Sequence, residues 1–289
     1  MYEIFVDVSI DIDEKIAEKY GIRYVPMEYM IGEETHCCTA PESFETLHEY
    51  YERLREKIPT KTSQISPYQY VSIFEPYVKE KKELLYISLS SGLSNTYESA
   101  NLAVEQLKDS YGEVHIEVVD SLGATGGMGL LAESACINRE NGMSLSENAK
   151  WLREHAANVN FLFKVEDLMY LMRGGRISSS SAIMGTALNI KPILCINSVG
   201  KLETISKKRG KNMAMKYLVE NMENHYDATI GNTVYICGAD CMADAEILKQ
   251  MVLDKFPDTQ IRITSLSPII GAHTGPNMLA LIYYGEKRA

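Results

Sequence analysis

The sequence has 289 residues, 45% of them hydrophobic, with 29 lysines and arginines against 39 aspartates and glutamates, for a formal net charge of −10. That length and apolar content suffice for about two ordinary domains. The acidic field, with a pI near 5.2, repels nucleic acid and anionic membrane and excludes both as generic partners.

Residues 1–8 read as an apolar strand. No basic segment precedes it and no small-residue cleavage site follows, so a cytoplasmic location is expected. No apolar run approaches the roughly 20 residues that span a bilayer, so no transmembrane segment is expected. Thr39-Ala40-Pro41-Glu42 has the spacing of a capping box and opens a helix with Phe44, Leu47, Tyr51, Leu54 and Ile58 on one face. Ser66-Pro67, a cap followed by proline, starts another helix through Val71, Phe74 and Val78. Residues 84–89 form a strand pattern, the stretch after Ser94 a helix carrying Ala100, Ala103, Val104 and Leu107, and residues 114–119 a strand. Strand, helix, strand at this spacing implies a parallel sheet covered on both faces.

The texture changes after Trp151 and His155. Residues 161–163 and 190–196 are strand-like, and Ser198-Val199-Gly200-Lys201 joins the latter to residues 202–208 as an antiparallel hairpin. Helical periodicity over residues 212–226 and 243–256, each followed by a strand, precedes a last strand over 279–284. The expected fold is two-domain α/β: residues 1–156 form a three-layer α/β/α domain with a parallel sheet, and residues 157–289 an α/β domain with a mixed sheet. No low-complexity linker separates them, so close packing is expected.

Three hydroxyl-rich segments far apart in sequence carry the chemistry: Thr62-Ser63-Gln64, Ser90-Ser91-Gly92-Leu93-Ser94-Asn95-Thr96 and Gly271-Ala272-His273-Thr274-Gly275-Pro276. Ligands of open α/β sheets sit beyond the carboxyl ends of strands, where the second segment falls. Gly92 permits a sharp turn there, and Ser94 serves either as a cap for the following helix or as a ligand group beside its free N–H groups. His273 is read as lying in a loop constrained by glycine and proline, either as a donor to a carboxylate or as a nucleophile toward a carbonyl. Arg173-Gly174-Gly175-Arg176 ends a helix, as a dipole-favoured cap or as a phosphate or partner contact. The glycine-rich residues 123–129 lack the P-loop lysine and the dinucleotide fingerprint, which leaves close helix-to-sheet packing. The six cysteines, including Cys37-Cys38 and the pair Cys237 and Cys241, lack finger-like spacing and read as reduced, buried thiols, with no metal expected. A serine hydrolase built from Ser94 and His273 would lack both the Gly-x-Ser-x-Gly elbow and an orienting carboxylate.

Taken in order, Thr62-Ser63-Gln64 with Ser66-Pro67, Ser90-Ser91-Gly92-Leu93-Ser94, Val118-Val119-Asp120-Ser121, Gly174-Gly175-Arg176-Ile177, Ile190-Lys191-Pro192-Ile193-Leu194 and the 271–276 segment resemble the DegV family across essentially the whole chain. The resemblance implies a non-catalytic, cofactor-free protein that holds a long-chain fatty acid, carboxylate between the domains and acyl chain buried. It further implies presentation of that carboxylate to a separate fatty acid kinase subunit for acyl phosphate formation. By resemblance Thr62 and Ser94 contact the carboxylate, with Ser63, Asn95, His273 and Thr274 near it, while Arg173 and Arg176 belong to the rim or a partner surface. The chain departs from the family at Asp7-Val8-Ser9, where a Thr-Asp-Ser-like run is usual, and at Asn95, where a smaller residue is common. Burial of methylenes at about 0.8 kcal/mol each would dominate such binding, in a tunnel that the fourteen methionines are suited to line. The alternative is a small-carbonyl-binding or catalytic protein, since the fold also resembles the substrate-binding part of dihydroxyacetone kinases, where a histidine captures the carbonyl. His273 would fill that role.

Overall fold

Alternating β-branched runs and amphipathic helices in the first half become, in chain order, β1 (Glu3–Asp7), α1 (Glu14–Tyr20), β2 (Arg23–Val25), β3 (Met27–Ile31), β4 (Glu34–Cys38), α2 (Phe44–Arg55), β5 (Thr60–Thr62), α3 (Pro67–Lys79), β6 (Leu84–Ser88), α4 (Thr96–Tyr111), β7 (Ile116–Asp120), α5 (Thr125–Glu140) and α6 (Leu145–His155). The second half supplies β8 (Val159–Lys164), α7 (Met169–Arg173), β9 (Ile190–Ile196), β10 (Leu202–Arg209), α8 (Lys211–His225), β11 (Thr233–Gly238), α9 (Met242–Leu253), β12 (Gln260–Ser265), α10 (Pro268–Thr274) and β13 (Leu279–Tyr284). This computed structural model describes residues 2–178 and 189–288. Met1, assigned above to the first strand, lies outside them. Among the described residues no helix is long and apolar enough to cross a membrane.

The fold is two-domain α/β, with a parallel and a mixed sheet. The parallel sheet has the order β2-β1-β6-β7, and the mixed sheet the order β10-β9-β8-β13-β11-β12. Within the mixed sheet β11 and β12 pair in parallel and the other neighbours antiparallel, including the predicted β9–β10 hairpin. A small antiparallel sheet, β4-β3-β5, was not anticipated. Its β3–β4 connection is the two-residue turn Gly32-Glu33, with Gly32 at φ +62. That is a hairpin geometry glycine adopts freely.

Two helix assignments need correction. The cap of α2 is Ser43, whose hydroxyl accepts Thr46 N–H at 3.2 Å, so the 39–42 box does not open the helix and Ile58 lies beyond its end. His273 is not in a loop. It lies in α10, which starts at Ser267-Pro268 and stops at Gly275, φ +76. By contrast α3 carries the expected cap, a reciprocal box of Ser66 and Gln69 with Pro67 in the first turn.

Helices α3 and α4 cover one face of the parallel sheet, where Phe74, Ala100, Ala103 and Leu107 meet Phe5 and Tyr86. Helix α5 is buried almost all round because it lies between the two sheets. This explains its glycines. A Cβ on Gly126 would stand 2.7 Å from both Tyr235 Cβ and Cys237 Sγ, and one on Gly127 would overlap the Phe161 ring. Helices α8 and α9 cover the far face of the mixed sheet through Leu218, Met222 and Leu248. Helix α10 spans the layers. Tyr51 donates to Leu266 O at 2.6 Å, Tyr50 to Pro268 O at 3.0 Å, and Ser267 N–H to Asp11 Oδ1 at 2.9 Å.

Candidate functional site

Strand β6 ends in a segment, residues 89–95, whose backbone is fixed by its neighbours. Asp7 Oδ2 accepts Leu89 N–H at 2.8 Å and Tyr86 O–H at 3.0 Å, while Oδ1 accepts the backbone N–H and hydroxyl of Ser9. Burial pushes the Asp7 carboxyl above its usual range against the pull of these donors. Asp120 Oδ1 accepts Ser91 N–H at 3.2 Å and Leu122 N–H at 2.9 Å. The Ser90 hydroxyl donates to Gly200 O at 2.9 Å and accepts Gly92 N–H at 3.1 Å. Ser94 Oγ then accepts Thr96 N–H, the first of α4, at 3.3 Å and lies 2.7 Å from Thr96 Oγ1 while facing a cavity; the N-cap position itself is Asn95 and not Ser94.

That cavity, about 410 Å³, brings together Thr62, Ser63, Ser94, Asn95, His273 and Thr274. Gln64, Ser91, Thr125 and Arg176 complete its polar lining, and no carboxylate lines it among the described residues. Thr62, at the end of β5, places Oγ1 2.8 Å from His273 Nε2. Burial, and then the charge of Arg176, lower the His273 pKa to about 4. The ring is therefore neutral near pH 7, and among the described residues Nδ1 has no hydrogen-bond partner. With Nε2–H donating to Thr62, the threonine hydroxyl proton is left to donate to a bound oxygen, an assignment made from the bonding network. Arg176, whose pKa burial lowers, donates from Nε to Leu93 O at 3.2 Å and also bonds Gly174 O. Arg173 is exposed at the end of α7 and outside the cavity lining. Asp7 and Ser9 are buried and do not line the cavity.

The remaining wall is apolar, with Phe161 and Phe163 from β8, Ile196 from β9, Ala280 and Ile282 from β13, and Leu171 from α7. Among the described residues the methionines that line it are Met27 and Met278, and aromatic and branched side chains make up most of the apolar wall where a methionine tunnel was expected. Period-two spacing at 161/163 and 280/282 was the available signal, but Leu162 and Leu281 are also buried, which erases the alternation. The Ser94–His273 pairing that a hydrolase needs is not formed, because His273 bonds Thr62 and Ser94 bonds Thr96. All six cysteines are free, and Cys37 is exposed, contrary to the buried-thiol expectation. His48, Glu52 and Asp240 converge as possible metal ligands, yet Arg55 already bridges Glu52 and Asp240.

The depressed His273 pKa gives a linkage prediction. A histidine moved from 6.5 to about 4 on folding binds protons better in the unfolded chain. Its contribution is intact above about pH 6.5 and is lost as pH falls toward 4. At pH 5 the loss is about 2 kcal/mol. Urea unfolding at pH 7 and pH 5 should show His273→Asn less acid-sensitive than wild type by that amount, and equal acid sensitivity would refute the linkage.

Comparison with known proteins gives a consistent picture. The family model described as "Uncharacterised protein, DegV family" matches residues 1–286. The chain is 34% identical over 287 residues to a DegV domain-containing protein of Clostridium perfringens, covering 99% of this chain and 98% of that protein. A crystal structure of a DegV lipid-binding protein from Thermotoga maritima matches with TM-score 0.83 and 28% identity over 100% of both chains. A second Thermotoga maritima protein, whose structure revealed a fatty acid binding function, matches with TM-score 0.81 and 27% identity over 98% of this chain and 99% of that one. The Streptococcus pneumoniae Fatty Acid Kinase B3 protein, loaded with linoleic acid, matches with TM-score 0.86 at 20% identity, over 98% of this chain and 99% of that one. At that identity the likeness concerns the fold.

Proposed function

Because the chain belongs to the DegV family, we propose that it is a non-catalytic carrier of a long-chain fatty acid, requiring no cofactor. The observation that carries this reading is one cavity of about 410 Å³ that joins neutral polar groups and Arg176 to an apolar remainder walled largely by strands of the mixed sheet. Thr62 and Ser94 take the carboxylate, with Ser63, Asn95, His273 and Thr274 around it. Each charge-assisted hydrogen bond contributes about 1.5–3 kcal/mol, and the buried methylenes add about 0.8 kcal/mol each before ordering costs. The domain boundary falls between residues 156 and 157, and the protein acts in the cytoplasm. A fatty acid kinase subunit is its partner, receiving the carboxylate at these polar groups for phosphorylation, with Arg173 on the exposed rim. The carbonyl-capturing alternative is not favoured, because His273 Nε2 is engaged by Thr62.

Denaturing the purified protein, extracting it with organic solvent and analysing the extract by mass spectrometry should release a fatty acid in near-stoichiometric amount. No released lipid, together with no binding of added palmitate, would overturn the proposal. Thr62→Val and Ser94→Ala should each weaken palmitate binding roughly tenfold. Unchanged affinity in either variant would remove that residue from the site.

A further inference from the structure

Arg288 sits in an unusual place for a cation. Its guanidinium donates to Ala156 O at 2.9 Å, Leu122 O at 3.0 Å, and Ile196 O and Asn197 O at 3.2 Å each. These recorded partners are backbone carbonyls from three separate segments. Burial lowers its pKa to about 10, the direction expected of a cation taken out of water. The guanidinium carbon also stands 5.0 Å from the centroid of the Phe161 ring, the geometry of a cation–π contact.

Phe161 is one of the two phenylalanine rings of the acyl wall. The His273–Thr274 segment runs through Met278 into β13, so the pair Phe163↔Ala280 comes first along the wall. The pair Phe161↔Ile282 lies two residues further along both strands, about 7 Å further from the Thr274 end. Ring position there is fixed from two sides. Arg288 covers it, and a Cβ on either Gly123 or Gly127 would overlap its edge. The 121–125 segment behind the ring holds two non-glycine residues at positive φ, Leu122 at 48° and Thr125 at 54°. Arg288 bonds the carbonyl of the first, and the second lines the cavity.

We infer that Phe161, pinned by Arg288 against Gly123 and Gly127, forms the floor of the acyl cavity and sets the longest chain it accepts. The inference rests on the fatty acid reading and adds the residues that determine specificity within it. Phe161 acts by contact with the chain end, and Arg288 is a positioning residue acting through Phe161. Removing the ring opens depth beyond the floor. Freeing it by loss of Arg288 lets it swing away, with a smaller effect in the same direction. Adding a methyl at Gly127 drives the ring into the cavity and shortens it.

The test is competitive binding of a saturated series from myristate to arachidate to delipidated wild type, Phe161→Ala, Arg288→Ala and Gly127→Ala, each checked for folding by circular dichroism and thermal melting. Phe161→Leu, Arg288→Lys and Gly127→Ser stand in for any variant that does not fold. The readout is the ratio of affinities between chain lengths, which general destabilisation does not change. Relative to wild type, Phe161→Ala should favour the longer of two acids differing by two methylenes by roughly tenfold. Arg288→Ala should shift the ratio the same way by less, and Gly127→Ala should shift it toward shorter acids. Folded Phe161 and Arg288 variants with the wild-type chain-length profile would overturn the floor assignment while leaving the carrier reading intact. Wild type binding no member of the series would overturn both.

Discussion

Asp7→Ala is expected to lower stability by about 4 kcal/mol and to loosen the head-group segment, although Asp7 does not touch the cavity. Its side chain is fully buried at the end of β1 and accepts donors from Ser9, Tyr86 and Leu89. Tyr86 in turn accepts from Tyr70 at 2.5 Å, so the carboxylate also anchors a hydroxyl chain reaching into α3. Truncation leaves the Leu89 N–H, the Ser9 N–H and the tyrosine pair without their acceptor in a region closed to water, and each orphaned group costs about 1–3 kcal/mol. Asp7→Asn preserves shape and one acceptor but turns a donor toward other donors, with an expected loss of about 2 kcal/mol. Urea unfolding monitored by circular dichroism measures both. Asp7→Ala within 1 kcal/mol of wild type would show that the network contributes little. The consequence for the site is that Leu89, released from Asp7, no longer fixes the path into Ser91 and Ser94, and palmitate affinity should fall with stability.

The contrast between Asp7 and Ser94 indicates what the sequence made legible. Ser94 stood in a recognisable setting, a hydroxyl before an amphipathic helix after a strand, and the structure puts it at the start of α4 facing the cavity. Asp7 was ambiguous, because one carboxylate at a strand end reads equally as ligand, cap or core group until Leu89 and Tyr86 are seen to converge on it. The parallel sheet and the β9–β10 hairpin were readable because their apolar runs are regular and bounded by turn residues. The β4-β3-β5 sheet was not, since its strands are short and β4 is exposed over four of its five residues, with only Cys38 buried. The helical state of His273 was obscured by glycines and proline that suggest irregular backbone. Gly275 instead terminates α10 and Pro276 follows that end, while a different proline, Pro268, occupies the first turn. The acyl wall depended on which strands of the mixed sheet became neighbours, notably β8 beside β13, separated by more than a hundred residues. Local pattern carries no trace of that pairing.

Gly92→Ala is expected to damage stability and ligand binding together, because the glycine is required by space and not by backbone angle. A Cβ at this position would stand 2.5 Å from Gly200 O and 2.7 Å from Val199 O. Both obstacles are backbone atoms of the β9–β10 turn, which cannot rotate aside as a side chain would. Gly200 is itself held at φ +73 and its carbonyl already accepts the Ser90 hydroxyl at 2.9 Å. Relief therefore requires the head-group segment and the hairpin to separate, at a cost of about 3 kcal/mol. The displacement acts on Leu93 and Ser94, one and two residues downstream, so palmitate affinity should drop at least roughly tenfold, the equivalent of one lost hydrogen bond. Gly142→Ala is the control. Gly142 has φ +86 with nothing among the described residues within 4 Å of a built Cβ, so alanine there adds only backbone strain of about 1–2 kcal/mol and should leave affinity unchanged. Thermal melting and palmitate titration of both variants separate the two effects. A Gly92→Ala protein that melts like Gly142→Ala and binds palmitate like wild type would mean that the 89–95 segment and the 197–201 turn move independently, and that their contact does not hold Ser94 in place.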